Sequence, residues 1–208
     1  MKIVVTGASG FLGRFVLTEF ESGGHEVVGA ARIHAGERFR ALDVTDDKNC
    51  RRFLTEFQPD TIVHLAALAD PDACERDPVL AARINVEGTA NMASAALRRT
   101  LFVFISTDYI FDGQSPPYGE DSVARPVNVH GKTKNLAEEL VRSRDGEHLI
   151  VRLPLLYSDD TRSARNLLAL ILLHDSVFLA QVTDKELLCA WIFLHGDSNG
   201  VARDKSYY

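Results

Sequence analysis

Three glycines recur at three-residue intervals in Thr6-Gly7-Ala8-Ser9-Gly10-Phe11-Leu12-Gly13, directly after the apolar run Ile3–Thr6 and at the start of a helical pattern, Phe11–Ser22. Few arrangements satisfy such a junction. Gly7 permits a tight turn out of a strand, Gly10 lets backbone approach a diphosphate without an intervening Cβ, and Gly13 lets a helix pack closely on that strand. The N–H groups that open the helix then face the phosphates, aided by the helix dipole. A glycine-rich connection that binds nothing is the competing reading. Its place at the first strand–helix junction argues for binding, with Gly7, Ser9, Gly10, Phe11, Leu12 and Gly13 as the expected residues.

The rest of the chain keeps the rhythm that this junction begins. Val27–Ala30, Thr61–Leu65, Leu101–Ser106 and His148–Leu153 are further strand-length apolar runs. Several are apolar on consecutive residues, as in a parallel sheet covered on both faces. Helical patterns separate them: 46–57, Pro78–Arg98 with Val79, Ile84, Val86, Ala90, Met92 and Ala93 as its apolar face, and 130–143. The expectation is an α/β fold, a Rossmann-type doubly wound parallel sheet with right-handed crossovers. Residues 108–126 hold Gly113, Pro116, Pro117, Gly119 and Pro126, so a long loop follows the fourth buried run, above the carboxyl edge where such sheets bind ligands. After Tyr157 the pattern loosens, which divides the chain into a binding domain, 1–157, and a partial C-terminal lobe and tail, 158–208.

Composition narrows the partners. A formal net charge of −6 over 208 residues gives no basic face for nucleic acid. Cys50, Cys74 and Cys189 are too far apart for a zinc knuckle or a disulfide framework, which fits a reducing, cytoplasmic setting. Leu167–Leu173 is too short to span a bilayer. Asp70, Asp72, Glu75 and Asp77 form an acidic stretch that reads as a solvated loop rather than a metal site, since no histidine joins them.

The GxxGxxG spacing resembles that of the extended short-chain dehydrogenase/reductase superfamily, and further matches follow in order. Leu42-Asp43-Val44-Thr45-Asp46 resembles its adenine-side segment, with Asp43 and Val44 beside the base. His64-Leu65-Ala66-Ala67 resembles the strand end that backs the nicotinamide ribose, and Pro154 the segment placed against the carboxamide. Ser106-Thr107-Asp108-Tyr109-Ile110-Phe111-Asp112-Gly113 with Pro117-Tyr118 and Pro126-Val127-Asn128-Val129 is similar to dTDP-4-dehydrorhamnose reductases, and to the regulatory β subunit of methionine adenosyltransferase. The resemblance is specific over residues 1–157. It implies a nicotinamide dinucleotide cofactor, with two outcomes open: reduction of a 4-keto nucleotide sugar, or non-catalytic service beside a methionine adenosyltransferase catalytic subunit. It also implies a C-terminal substrate lobe of which 158–208 supplies only part. The second strand run ends in Arg32 rather than a carboxylate, which favours NADP(H), through a fork to a 2′-phosphate, over NAD(H).

Superfamily catalysis, as the resemblance implies, uses a Tyr, a Lys four residues later and a Ser or Thr. Aligned on Asn128-Val129-His130-Gly131-Lys132-Thr133-Lys134, these roles fall on His130, Lys134 and Thr107, so the proton-transferring position is a histidine. Imidazole titrates near neutrality and shares a helix face with Lys134. A neighbouring ammonium depresses its pKa, however, and it is shorter than a phenol. Impaired or absent catalysis is the expectation. Tyr109 and Tyr118 are alternative acids, but neither has a lysine at helical spacing.

Overall fold

In the computed structural model, which describes residues 1–33, 38–154, 183–184 and 187–188, each of the five expected strands forms. They are β1 (Lys2–Thr6), β2 (Glu26–Ala31), β4 (Thr61–His64), β5 (Leu101–Thr107) and β6 (His148–Leu153). A two-residue strand, β3 (Arg40–Ala41), lies at the edge, too short and polar to register as an apolar run. The parallel order is β3-β2-β1-β4-β5-β6. Beyond β6 the backbone of β8 (Leu187–Leu188) pairs in parallel, and β7 (Thr183–Asp184) pairs antiparallel to β8. The chain winds outward from β1 to β3, then restarts at β4 on the other side of β1. Thr6 is consequently in register with Ala30 on one side and His64 on the other. A crevice opens at this reversal, at the carboxyl ends of β1 and β4.

Alternation along β1 divides the core. Ile3 and Val5 pack with Leu17 of α1 (Phe11–Ser22) and Val63, whereas Val4, Ile62, Phe102 and Phe104 join residues of α2 (Asp47–Phe57), α5 (Gly88–Ala95) and α6 (Val129–Ser143). Phe102 and Phe104 are fully buried, and truncating either to alanine is expected to cost about 3–5 kcal/mol.

Two expectations fail for identifiable reasons. The acidic stretch after β4 is not a loop but a short helix, α3 (Pro71–Arg76), and it leads into α4 (Pro78–Ala82). Its acids serve as caps: the Asp70 carboxylate accepts from Ala73 N–H at 3.1 Å and that of Asp77 from Leu80 N–H at 2.9 Å, each followed by proline at the first helical position. The long helix expected from Pro78 is interrupted by a π-turn, Arg83–Glu87, in which Gly88 N–H bonds Arg83 C=O. One extra residue shifts the helical phase by about 100°. Val79 is accordingly 79% exposed instead of facing the core, and Ala81, Asn85, Gly88, Thr89, Met92 and Ala93 form the buried face. Among the described residues no helix is long and apolar enough to cross a membrane.

Candidate functional site

The glycine turn joins β1 to α1 at the mouth of the crevice. Gly7 has φ +65°, and a Cβ there would stand 2.8 Å from both Leu65 C and Ala66 N, the backbone that leaves β4. A Cβ on Gly13 would strike the Gly7 carbonyl oxygen and stand 2.7 Å from Ala8 Cα. Backbone cannot yield as a side chain does, so the glycines are required by close approach. Gly10 N–H donates to Gly7 C=O at 2.9 Å, closing the turn. The first turn of α1 then has no side-chain cap and no acidic residue. Among the described residues every other α-helix that starts from a loop is capped: α2 by Asp46 at 3.1 Å, α3 by Asp70, α4 by Asp77 and α6 by Asn128 at 2.7 Å. Glu75 of α3 also accepts from Val129 N–H at 2.7 Å, a second cap on α6. The positive end of the α1 dipole therefore has no side-chain carboxylate in its first turn. Ser9, Phe11 and Leu12 line this turn half-buried.

Away from the turn, Arg32 follows β2 and is exposed. Asp43 is half-buried, and Oδ1 accepts from Thr45 N–H at 2.9 Å and from the Thr45 hydroxyl at 2.8 Å. Burial acts to raise the Asp43 pKa. The Thr45 bonds, with the Arg32 and Arg83 charges, outweigh it and hold the carboxyl below its ordinary value. Val44 is buried, and a Cβ on Gly88 would meet its Cγ2 at 2.8 Å.

Ala66 and Ala67 follow β4 directly against the turn, Thr107 ends β5, Pro154 follows β6, and His130 and Lys134 lie on α6. Ala66, Ala67 and Pro154 are half-buried. The Thr107 hydroxyl donates to Asp108 Oδ1 at 3.2 Å and accepts from Tyr109 N–H at 3.2 Å. Burial raises the Asp108 pKa despite that bond. Ser106 Oγ, one residue before Thr107, is buried with no hydrogen-bond partner among the described residues.

Lys134 is only 4% exposed; Nζ donates to Ile105 C=O and sits 3.9 Å from the centroid of the Phe104 ring. Burial lowers its pKa to about 7, against an opposing pull from Glu138. His130 is 5% exposed, and its Nδ1–H donates to Leu68 C=O at 3.3 Å. With the proton on Nδ1, Nε2 is a bare acceptor. Burial first, then Lys134, drives the His130 pKa down to about 4, against the Leu68 bond. The lysine effect foreseen in the sequence is present, but desolvation is the larger cause. At neutral pH the pair therefore offers a neutral imidazole with no proton on Nε2. Tyr109 is 41% exposed, its ring edge-on to His130 at 5.9 Å, and Gly131 lets α6 approach the Tyr109 carbonyl. Tyr118 packs the loop: it stacks on Phe111 at 4.3 Å, and its hydroxyl donates to Asp112 at 2.7 Å.

The sequence assigns no role to several residues that shape this end. Arg152 donates from Nε to Glu138 Oε1 at 3.0 Å and from Nη2 to Oε2 at 2.8 Å, while Nη1 reaches Glu120 C=O at 3.2 Å. This buried fork ties the long loop to α6. Asn85, fully buried, accepts from Leu68 N–H at 2.7 Å and donates to Leu68 C=O at 3.1 Å, fixing the carbonyl that His130 uses. The available signal was weak: a polar residue at a small-residue helix face.

The family profile of the RmlD substrate binding domain matches residues 1–184. Methionine adenosyltransferase 2 subunit beta of Xenopus laevis is 36% identical over 177 residues, covering 85% of this chain and 52% of that protein. The chain thus spans about half the length of that curated relative. The crystal structure of a dTDP-4-dehydrorhamnose reductase from Clostridium acetobutylicum superposes with a TM-score of 0.72 at 33% identity, covering 84% of this chain and 61% of that one. The enzyme of that name from Bacillus anthracis, solved in complex with NADP, superposes with a TM-score of 0.73 at 28% identity, covering 82% and 58%.

Proposed function

This chain belongs to the RmlD substrate binding domain family, and from that premise we propose that it binds NADP(H), with NAD(H) the alternative, and resembles dTDP-4-dehydrorhamnose reductases in a form whose reductase activity is impaired. The observation that carries the binding is the α1 start, uncapped where α2, α3, α4 and α6 are capped, together with Gly7 before it, set against the Leu65–Ala66 backbone with no room for a Cβ. The NADP complex of the Bacillus anthracis relative supports the same ligand class, and Arg32, where a carboxylate would otherwise hold a bare ribose, favours the 2′-phosphate. In this reading 1–157 is the dinucleotide domain and 158–208 part of a substrate lobe. The buried free thiols of Cys50 and Cys74 are in keeping with a cytoplasmic setting.

Reduction of a 4-keto sugar adds hydride to the carbonyl carbon and a proton to its oxygen. Thr107 would hold that oxygen and Lys134 the nicotinamide ribose. His130 stands where the proton donor belongs, yet its single N–H is committed to Leu68 C=O and its pKa of about 4 leaves almost no imidazolium at pH 7. The same observation favours a second reading, a non-catalytic NADP-binding regulatory subunit that joins a methionine adenosyltransferase catalytic subunit, which the 36% identical relative also supports.

Two measurements test this. NADPH should raise the Tm of the purified chain through linkage, and no shift at millimolar nucleotide would sink the binding proposal. NADPH oxidation with a dTDP-4-keto sugar should be slower for the native chain than for His130→Tyr; equal rates would refute the assigned impairment. Co-purification with a methionine adenosyltransferase catalytic subunit would select the regulatory reading.

A further inference from the structure

A run of buried polar side chains crosses the molecule from the glycine turn to α6, and its proton directions are fixed. Thr6 Oγ1 accepts from Leu65 N–H and Ala66 N–H, both at 3.2 Å, so its own proton goes to His64 Nδ1 at 2.9 Å. His64 therefore carries its proton on Nε2 and donates to Thr89 Oγ1 at 3.2 Å. Thr89 in turn donates to Asn85 C=O at 2.7 Å, within the π-turn. The Asn85 side chain donates to Thr133 Oγ1 at 3.0 Å, and Thr133 donates to His130 C=O at 2.9 Å. A second branch ends at the Leu68 carbonyl, shared by Asn85 Nδ2, His130 Nδ1 and the Cys74 thiol, which donates at 3.2 Å.

All six residues, Thr6, His64, Thr89, Asn85, Thr133 and His130, are buried. His64 packs against the rings of Phe102 and Phe104, at centroid distances of 5.6 and 6.1 Å. Burial, with Lys134 secondary, lowers its pKa to about 3, so it stays neutral and its one donor and one acceptor remain matched to two threonines. The network has two segments, Thr6 to the Asn85 carbonyl and the Asn85 amide to the His130 carbonyl. Within each segment one bond fixes the next proton, Asn85 joins the two covalently, and breaking a segment leaves orphans at both sides of the break.

We propose that His64 is a positioning residue, the central link of a one-directional hydrogen-bond chain that couples the glycine turn to the placement of His130 on α6. One end of the chain fixes the Leu65–Ala66 backbone against which Gly7 turns, and the other fixes both the carbonyl and the imidazole of His130. Nucleotide bound at the turn and the geometry at α6 then bias each other. This rests on the dinucleotide reading of the turn.

The test uses the full chain with NADPH as titrant. His64→Phe preserves ring packing and removes both hydrogen bonds; it should weaken NADPH binding about tenfold. His64→Gln, which restores one acceptor and one donor, should recover most of that loss. Thr133→Val, at the far end of the chain, should weaken binding about threefold, and in a His64→Phe background it should add nothing further. In nucleotide-free protein, His64→Phe should also displace the ¹⁵N resonance of His130 Nδ1. If the native chain binds no NADPH but this resonance moves, the dinucleotide reading fails and the coupling stands. If binding is normal and His64→Phe leaves both affinity and resonance unchanged, or the two losses simply multiply, the coupling is overturned.

Discussion

At the glycine turn the shape comes from atoms that are absent: Gly7 and Gly13 leave backbone against backbone, and α1 begins with no side chain on its N–H groups. At the start of α6 the shape comes from side chains that fill and neutralise it: Asn128 and Glu75 on the N–H groups, His130 on Leu68, Lys134 on Ile105, and Glu138 on two arginines. The first leaves backbone donors that no side chain meets. The second meets its own needs internally, which is why its histidine has no proton to give at neutral pH. A site made of empty backbone is open to ligand by construction, whereas a site made of side chains is only as reactive as its packing permits.

The largest test of this contrast lies at the filled end. Glu138→Ala strands the buried Arg152 guanidinium without its carboxylate, and urea unfolding should show a loss of about 3–5 kcal/mol. A loss below about 1 kcal/mol would mean that this pair does not hold the long loop to α6. At the empty end, Gly13→Val pushes a side chain into the Gly7 carbonyl. It should cost up to about 3 kcal/mol of stability and, for a comparable loss in binding, about 100-fold in NADPH affinity. Unchanged affinity would show that the turn does not seat the nucleotide.

The third prediction sharpens the contrast through pH. The folded pKa of His130, about 4, is below its unfolded value near 6.5. Between these values the unfolded chain binds more protons, so the stability that neutral His130 contributes is complete above about pH 6.5 and is lost as pH falls toward 4. His130→Gln should reduce the slope of unfolding free energy against pH in that window by up to about 1.4 kcal/mol per unit. His64 should preserve a residual slope in the variant, since its folded value of about 3 gives the same sign. Identical slopes for native and variant chains would place His130 in solvent. Smallest is Arg32→Ala, an exposed position: NADPH affinity should fall about tenfold with NADH affinity unchanged. Equal losses for the two nucleotides would remove Arg32 from the 2′-phosphate.

How far the sequence could be read follows from the same division. The bounds of α1, and those of the five long strands to within a residue at either end, are legible because consecutive apolar residues and glycine punctuation encode them locally. Residues 71–76 form α3 instead of the expected loop because Asp70 caps it, and Asp70 and Asp77 each precede a proline at a helix start, a capping signature. The π-turn at Arg83–Glu87 leaves no trace in apolar spacing, since its effect is a phase change that only the packing of Gly88 on Val44 reveals.

The amino-acid order alone determined the doubly wound sheet, the glycine turn beside β1 and a histidine at position 130 four residues before Lys134, because periodicity, glycine spacing and residue identity are local properties. Only the tertiary structure decided what His130 is able to do. Its burial, its bond to Leu68 and the nearness of Lys134 join residues 68, 130 and 134 from separate elements, and a protonation state is set by the surroundings that folding creates, not by the residue that enters them.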